Sequence, residues 1–166
     1  HIADGAFEYS QISDITIPDS MKTIGSNAFL GCSDLKSVVI PDSVTAIGSG
    51  AFSSCEGLTN IVLPDNITSI EHNTFNHCKN LRRINIPKTV SYIGESAFSR
   101  CTNLLNITIP DGVGKLEMYA FGYCNSLESA VVPKSLTSIA ECAFLACDNL
   151  KDIYYTGSEE DWKEID

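Results

Sequence analysis

The residues of this chain that could do chemistry are seven cysteines, three histidines, a row of aspartates and one pair of adjacent arginines. Evenly spaced thiols invite disulfides or zinc. His72, His77 and Cys78 invite a transition metal, and Asp19, Asp42 and Asp65 invite calcium. Arg82-Arg83, near Lys79, Lys88 and Arg100, is the one clear basic island and could grip a carboxylate, a sulfate or an acidic glycan. No motif places a serine, a histidine and an acid together, and there is no glycine-rich phosphate loop. Catalysis has no foothold here.

Spacing decides most of these readings. Pro18, Pro41, Pro64, Pro87, Pro110 and Pro133 recur every 23 residues. Phe29 to Phe144, Cys32 to Cys147 and Leu35 to Leu150 keep the same beat. A fixed period of this size means a solenoid in which each unit is one coil stacked on the last. Six cysteines therefore share one slot, about 4.8 Å apart with parallel Cβ vectors. A disulfide wants roughly 3.8 Å and convergent vectors, and a straight ladder cannot wrap a tetrahedral zinc. These cysteines read as buried free thiols acting as small hydrophobes. Cys142 stands outside the ladder, in a slot that faces outward elsewhere, and is the candidate reactive thiol. The aspartates follow prolines, where turn chemistry accounts for them better than a metal does, and Lys88 and Lys134 take the same slot in other coils. His72, His77 and Cys78 sit on one repeat without a second ligand cluster.

The elements that position these residues follow from one repeat. Leu58 to Leu63 is rich in β-branched residues and predicts a strand, which Pro64 ends. Ile67 to Ile70 predicts a second short extended piece on the opposite wall. Gly25, Gly48 and Gly94 are expected to permit a corner that L-residues resist. Ala51 to Cys55 reads as a turn or 3₁₀ piece, with Phe52 packed inward against the rings above and below. The first coil departs: Phe7 lies 11 residues before Pro18 where the others show 12. The last coil replaces proline with Thr156-Gly157, after which Ser158 predicts the N-cap of a short acidic helix. Trp162 of that helix is expected to cover the last open rung.

Composition narrows the partners. The 43% apolar and 19% charged fractions are those of a folded chain. A net charge of −10 argues against nucleic acid or an anionic membrane as partner. No apolar run approaches the roughly 18–20 residues that would cross a bilayer. The start at His1-Ile2-Ala3-Asp4, in mid-repeat and without an initiator Met, reads as a processed or truncated piece. The absence of a signal peptide therefore says nothing about secretion.

The unit I-P-x-x-V-x-x-I-G-x-x-A-F-x-x-C-x-x-L-x-x-I-x-I-P resembles the BspA-like leucine-rich repeat. The resemblance is carried by Ile40-Pro41, Val44, Ile47-Gly48, Ala51-Phe52, Cys55, Leu58, Ile61 and Leu63-Pro64, and by the closing run Ile153 to Trp162. Departures are local: Glu71 and Glu117 for Gly, Thr74 for Ala, Ala130 in an Ile slot and Leu116 for Ile. The expected fold is a mainly β solenoid, a right-handed leucine-rich-repeat coil stack. It carries a parallel sheet on one wall, short strands or turns on the other, and a short C-terminal capping helix. Residues 1–157 hold about six and a half coils, the N-terminal one incomplete, and residues 158–166 form the acidic cap. The resemblance implies a non-catalytic adhesin-type module, cell-surface or secreted and bacterial, without cofactors. Its implied partner is a host or cell-surface protein or glycan. The alternative is a passive spacer in a larger surface protein. The chain is expected to be monomeric, part of a longer chain.

Function must then live on outward slots. One outward column runs Ser37, Asn60, Arg83, Asn106, Ser129, Asp152; another runs Val39, Val62, Asn85, Thr108, Val131, Tyr154. A third, half turned, runs Lys36, Thr59, Arg82, Leu105, Glu128, Lys151. The candidate partner face is Arg82, Arg83, Asn85, Asn60, Val62, Asn106, Thr108 and Tyr154. Blander readings exist for each: strands favour β-branched residues anyway, and surface arginines often serve only neighbouring salt bridges and solubility. Asn66-Ile67-Thr68 and Asn106-Ile107-Thr108 fit glycosylation acceptors, which matters only in a eukaryotic source.

Overall fold

The computed structural model of the chain describes all 166 residues, and its elements are short because no coil has room for long ones. In chain order they are β1 (Thr23–Ile24), β2 (Ser37–Val39), β3 (Ala46–Ile47), β4 (Asn60–Val62), β5 (Ser69–Ile70) and β6 (Tyr92–Ile93). These are followed by β7 (Asn106–Thr108), β8 (Lys115–Leu116), β9 (Ser129–Val132), β10 (Ser138–Ile139), β11 (Asp152–Tyr155) and α1 (Glu159–Lys163). All pairing is parallel, and each strand pairs with its counterpart in the adjacent coil. The chain is a parallel β-solenoid with one short C-terminal helix.

Outside residues 82–86 the expected outward columns are the observed ones. On the main wall Ser37 opposes Asn60 and Val39 opposes Val62. Farther along, Asn106, Ser129 and Asp152 align, as do Thr108, Val131 and Tyr154. Between them the inward residues Val38, Ile61, Ile107 and Ala130 are buried. The core is a single cluster running the length of the stack. At its centre seven phenylalanines, Phe7 to Phe144, stack nearly parallel with ring centroids 5.1–5.8 Å apart. Parallel stacks of this kind let every coil bury both faces of its ring against a neighbour. The first coil, one residue short, still places Phe7 on Phe29 at 5.3 Å.

Three expectations are corrected. Gly25, Gly48 and Gly94 do not supply a positive φ. Their slot is tight: a Cβ on Gly48 would lie 2.5 Å from the Ser26 amide nitrogen, and one on Gly94 would lie 2.7 Å from that of His72. Positive φ falls instead on two other slots per coil, at Asn27, Gly50, Asn73, Ser96, Tyr119 and Cys142, and at Gly31, Ser54, His77, Arg100, Tyr123 and Ala146. These bracket the Ala-Phe turn and make it a double left-handed corner.

Second, Trp162 does not seal the last rung. Its ring meets Tyr155 edge-on at 5.2 Å, while Ile153 remains 45% exposed. The terminal segment instead extends the second wall by main-chain bonds, Asp166 N–H to the Thr137 carbonyl and Ile139 N–H to the Asp166 carbonyl. Ser158 caps α1 as expected, in a capping box with Asp161, and this holds the Asp161 carboxyl below its ordinary range.

Third, the strand wall is not continuous. The register predicts strand at Arg83 and Asn85, but residues 82–86 form none, and neither do residues 15–17. The wall is split into β2-β4 and β7-β9-β11.

Candidate functional site

The interruption has a local cause. Asn85 stands where Val39, Val62, Thr108, Val131 and Tyr154 stand in other coils. Asparagine is among the weakest strand formers, so this coil loses the side chain that favours the pleat. The main-chain groups of residues 83–86 consequently make no hydrogen bond within the chain. Elsewhere the Ile40 and Ile109 amides each donate to the next coil at 3.0 Å, but Leu63 and Ile86 do not. Ile84 is only half-buried, unlike the residues of its column on either side.

The opposite wall is open at the same junction. In the tight slot, Gly25, Gly48, Gly94 and Ala140 all donate their amide to the preceding coil, at 2.8–2.9 Å. Glu71 and Glu117 do not. A Cβ alone fits this slot, since Ala140 keeps its bond, so it is the longer glutamate side chain that crowds the junction. At the Glu71 junction β3 and β5 do not pair, whereas β6 and β8 still do at Glu117, and Phe52 to Phe75 is the widest step of the ring ladder at 5.8 Å. A seam therefore runs between the Phe52 and Phe75 coils. Main-chain bonds on the turn side, such as Phe52 N–H to the Thr74 carbonyl, still hold it.

Two of the three shallow clefts that Asn85 lines flank the seam coil. One is walled by Asn60, Ile61, Val62, Leu63, Arg83 and Ile84. The other includes Lys88, Thr108, Asp111, Val131 and Thr156. Of the sequence-derived face, Asn60, Val62, Arg83, Asn85 and Thr108 come together here. Arg82, though exposed, lines neither cleft, and nor does Asn106. Tyr154 is 59% exposed but lies three coils from Asn85, at roughly 14 Å by strand spacing.

The basic island also divides. Lys79 is paired with Glu56 at 2.8 Å. The Arg100 guanidinium lies 4.9 Å from the Tyr123 ring centre, on the turn side. There burial, helped by Arg100 and Lys79 and opposed by Glu56, holds the His77 imidazole below its usual range. Arg82, Arg83 and Lys88 form no ion pair. The side-chain amides of Asn60, Asn85 and Asn106 are likewise unbonded, whereas those of Asn66, Asn80, Asn103, Asn125 and Asn149 are all engaged.

The ladder cysteines are free thiols, as the spacing required, and they do more than fill space. Each donates its S–H to the phenylalanine carbonyl of the preceding coil at 3.0–3.2 Å, from Cys32 to Phe7 through Cys147 to Phe121. Burial, with the neighbouring thiol second, pushes Cys55 up to about 12 and Cys78 and Cys101 well above 9.0. Asp42 serves turn bonding: its carboxylate accepts from the Asp65 amide at 3.3 Å. His72 Nδ1 accepts from the Glu95 amide at 3.1 Å.

The sequence missed a second cluster. Tyr119 and Tyr123 lie nearly parallel on the turn face with centroids 6.3 Å apart, near Arg100 and the Cys142 thiol. The signal in the sequence was a tyrosine on each side of one Ala-Phe turn, at 119 and 123.

The match to known proteins follows this repeat. The description "BspA type Leucine rich repeat region" fits six copies over residues 1–127 and 73–164. The chain belongs to the BspA-type leucine-rich repeat family. Among solved structures, this repeat protein is 34% identical to the T. pallidum leucine-rich repeat protein TpLRR, with a TM-score of 0.78 over 80% of this chain and 62% of the other. It is 32% identical to a leucine-rich cell surface protein of Faecalibacterium prausnitzii, with a TM-score of 0.61 over 94% of this chain and 35% of the other. A Bacteroides ovatus leucine-rich repeat protein is 30% identical, with a TM-score of 0.63 over 80% and 40%. The chain thus spans less than two-thirds of the length of each. No curated protein matches it as a relative. Solenoids of this type typically serve as repeat scaffolds with extended binding surfaces, and no helix here is long and apolar enough to cross a membrane.

Proposed function

We propose that this BspA-type repeat protein is a non-catalytic binding module of adhesin type. It is displayed on a bacterial surface or secreted, and it presents its main strand wall to a host protein or glycan. The observation that carries this reading is a pair of exposed arginines, Arg82 and Arg83, without any ion pair, on the coil where the strand wall is interrupted. A spacer would need neither the interruption nor the unpaired cations. The surface setting is supported by the Faecalibacterium neighbour, which is named a cell surface protein.

The experiment is a binding screen against host matrix proteins and glycans, run in parallel with a variant carrying Arg82→Ser and Arg83→Ser. Binding that the double variant loses supports the face. Binding that survives moves the site to another face, and no binding at all leaves the spacer as the function.

A further inference from the structure

We propose that the seam is an anchor point for one carboxylate, an Asp or Glu side chain of a protein partner, received by Arg83 with the amides of Asn60 and Asn85. This deepens the binding-module reading and rests on it.

Three observations converge on that chemistry. First, donors are present and unspent. The Arg83 guanidinium has no carboxylate, and the Asn60 and Asn85 amides and the residue 83–86 main chain have no partner in the chain. A planar guanidinium beside amide donors matches a carboxylate's two oxygens. Second, the surroundings admit only a little negative charge. Asp111 lines one cleft beside Asn85 and Asp65 lines another, and the chain carries −10 overall. A polysulfated chain would be repelled far more strongly than a single carboxylate. Third, the column that holds Asn85 continues into Val62, 48% exposed, and Val39, 63% exposed. An apolar amino-acid neighbour of the bound acid can cover these valines more fully than the C–H surface of an acidic sugar can.

The seam is too narrow for an added strand, because the Phe52–Phe75 stack stays in contact. The acid therefore enters from the outer face, and the partner's main chain stays above the wall.

The test is an NMR titration of the whole chain with heptapeptides of alternating Val and Thr carrying a central Glu, a central Gln or none. Sialyllactose and a heparin hexasaccharide are run alongside, each to about 5 mM, the weak end of useful affinities. The Glu peptide should shift the amides of residues 83–85 and the side-chain amides of Asn60 and Asn85. It should weaken about fivefold when Glu becomes Gln or when the protein carries Arg83→Ser. Arg83→Lys should restore part of the loss, and Arg100→Ser should change nothing. Equal binding of the Glu and Gln peptides, no shift at these amides, or tighter binding of either sugar there would overturn the proposal. If these peptides fail while a matrix protein still binds through the face, only this inference falls. If the matrix screen also fails, the binding-module reading falls with it.

Discussion

The Cys78 thiol donates to the Phe52 carbonyl at 3.2 Å, across the junction where both β walls are unpaired. Both atoms are buried, so the bond replaces none to water in the folded state. Cys78→Ala removes one of the two donors to the Phe52 carbonyl, which keeps its bond from the Cys55 amide, and leaves a sulfur-sized void. We expect a loss of about 2 kcal/mol in a urea unfolding series. A loss below about 0.5 kcal/mol would mean the thiol ladder is packing alone.

The same ladder makes stability depend on alkaline pH. Folding holds the thiol protons more tightly than the unfolded chain does, since Cys55 is pushed up to about 12 and Cys78 and Cys101 lie well above 9.0. Their contribution is complete below the unfolded thiol pKa and is lost as pH rises beyond it. The urea midpoint should fall between about pH 8 and about pH 10, and fall less in Cys78→Ala. In the native chain iodoacetamide should reach Cys142 first and half-buried Cys147 more slowly, leaving the five buried thiols intact until unfolding.

Glu71 is the second cause of the seam, and the cause should be transferable. Gly94→Glu places a Cβ 2.7 Å from the His72 nitrogen. It should abolish the residue 94 amide bond to Ile70 and cost about 1–3 kcal/mol. Glu71→Gly should do the reverse, giving the residue 71 amide new protection in hydrogen exchange. Unchanged protection in both variants would remove the steric explanation.

How much of this was legible follows from what repeats. Phe52, Cys55 and Leu58 recur in register, so stacking, burial and free thiols could be read directly. The Cys-to-Phe carbonyl bonds could not, because spacing fixes which residues are neighbours but not where an S–H points. The role of Gly48 was misread for a related reason: glycine marks both positive φ and close approach, and only coordinates separate the two. The break at Asn85 was visible as a departure from a β-branched column, yet a single weak strand former usually yields to its neighbours. Here it does not, because Glu71 has already loosened the same junction. The arginines were visible as residues; that they lack ion pairs was not.

Asn85→Val joins the structural and functional arguments. A β-branched residue in this slot should let residues 83–86 rejoin the ladder, raising their amide protection and stabilising the chain by about 0.5–1 kcal/mol. The same change spends the main-chain donors and removes the Asn85 amide, so the Glu peptide should weaken even though Arg83 remains. A variant that is more stable and binds less would show that this coil forgoes strand pairing to keep its donors free. A variant that gains protection yet binds the Glu peptide as tightly would show that Arg83 alone carries the carboxylate, and that the interruption matters only to the fold.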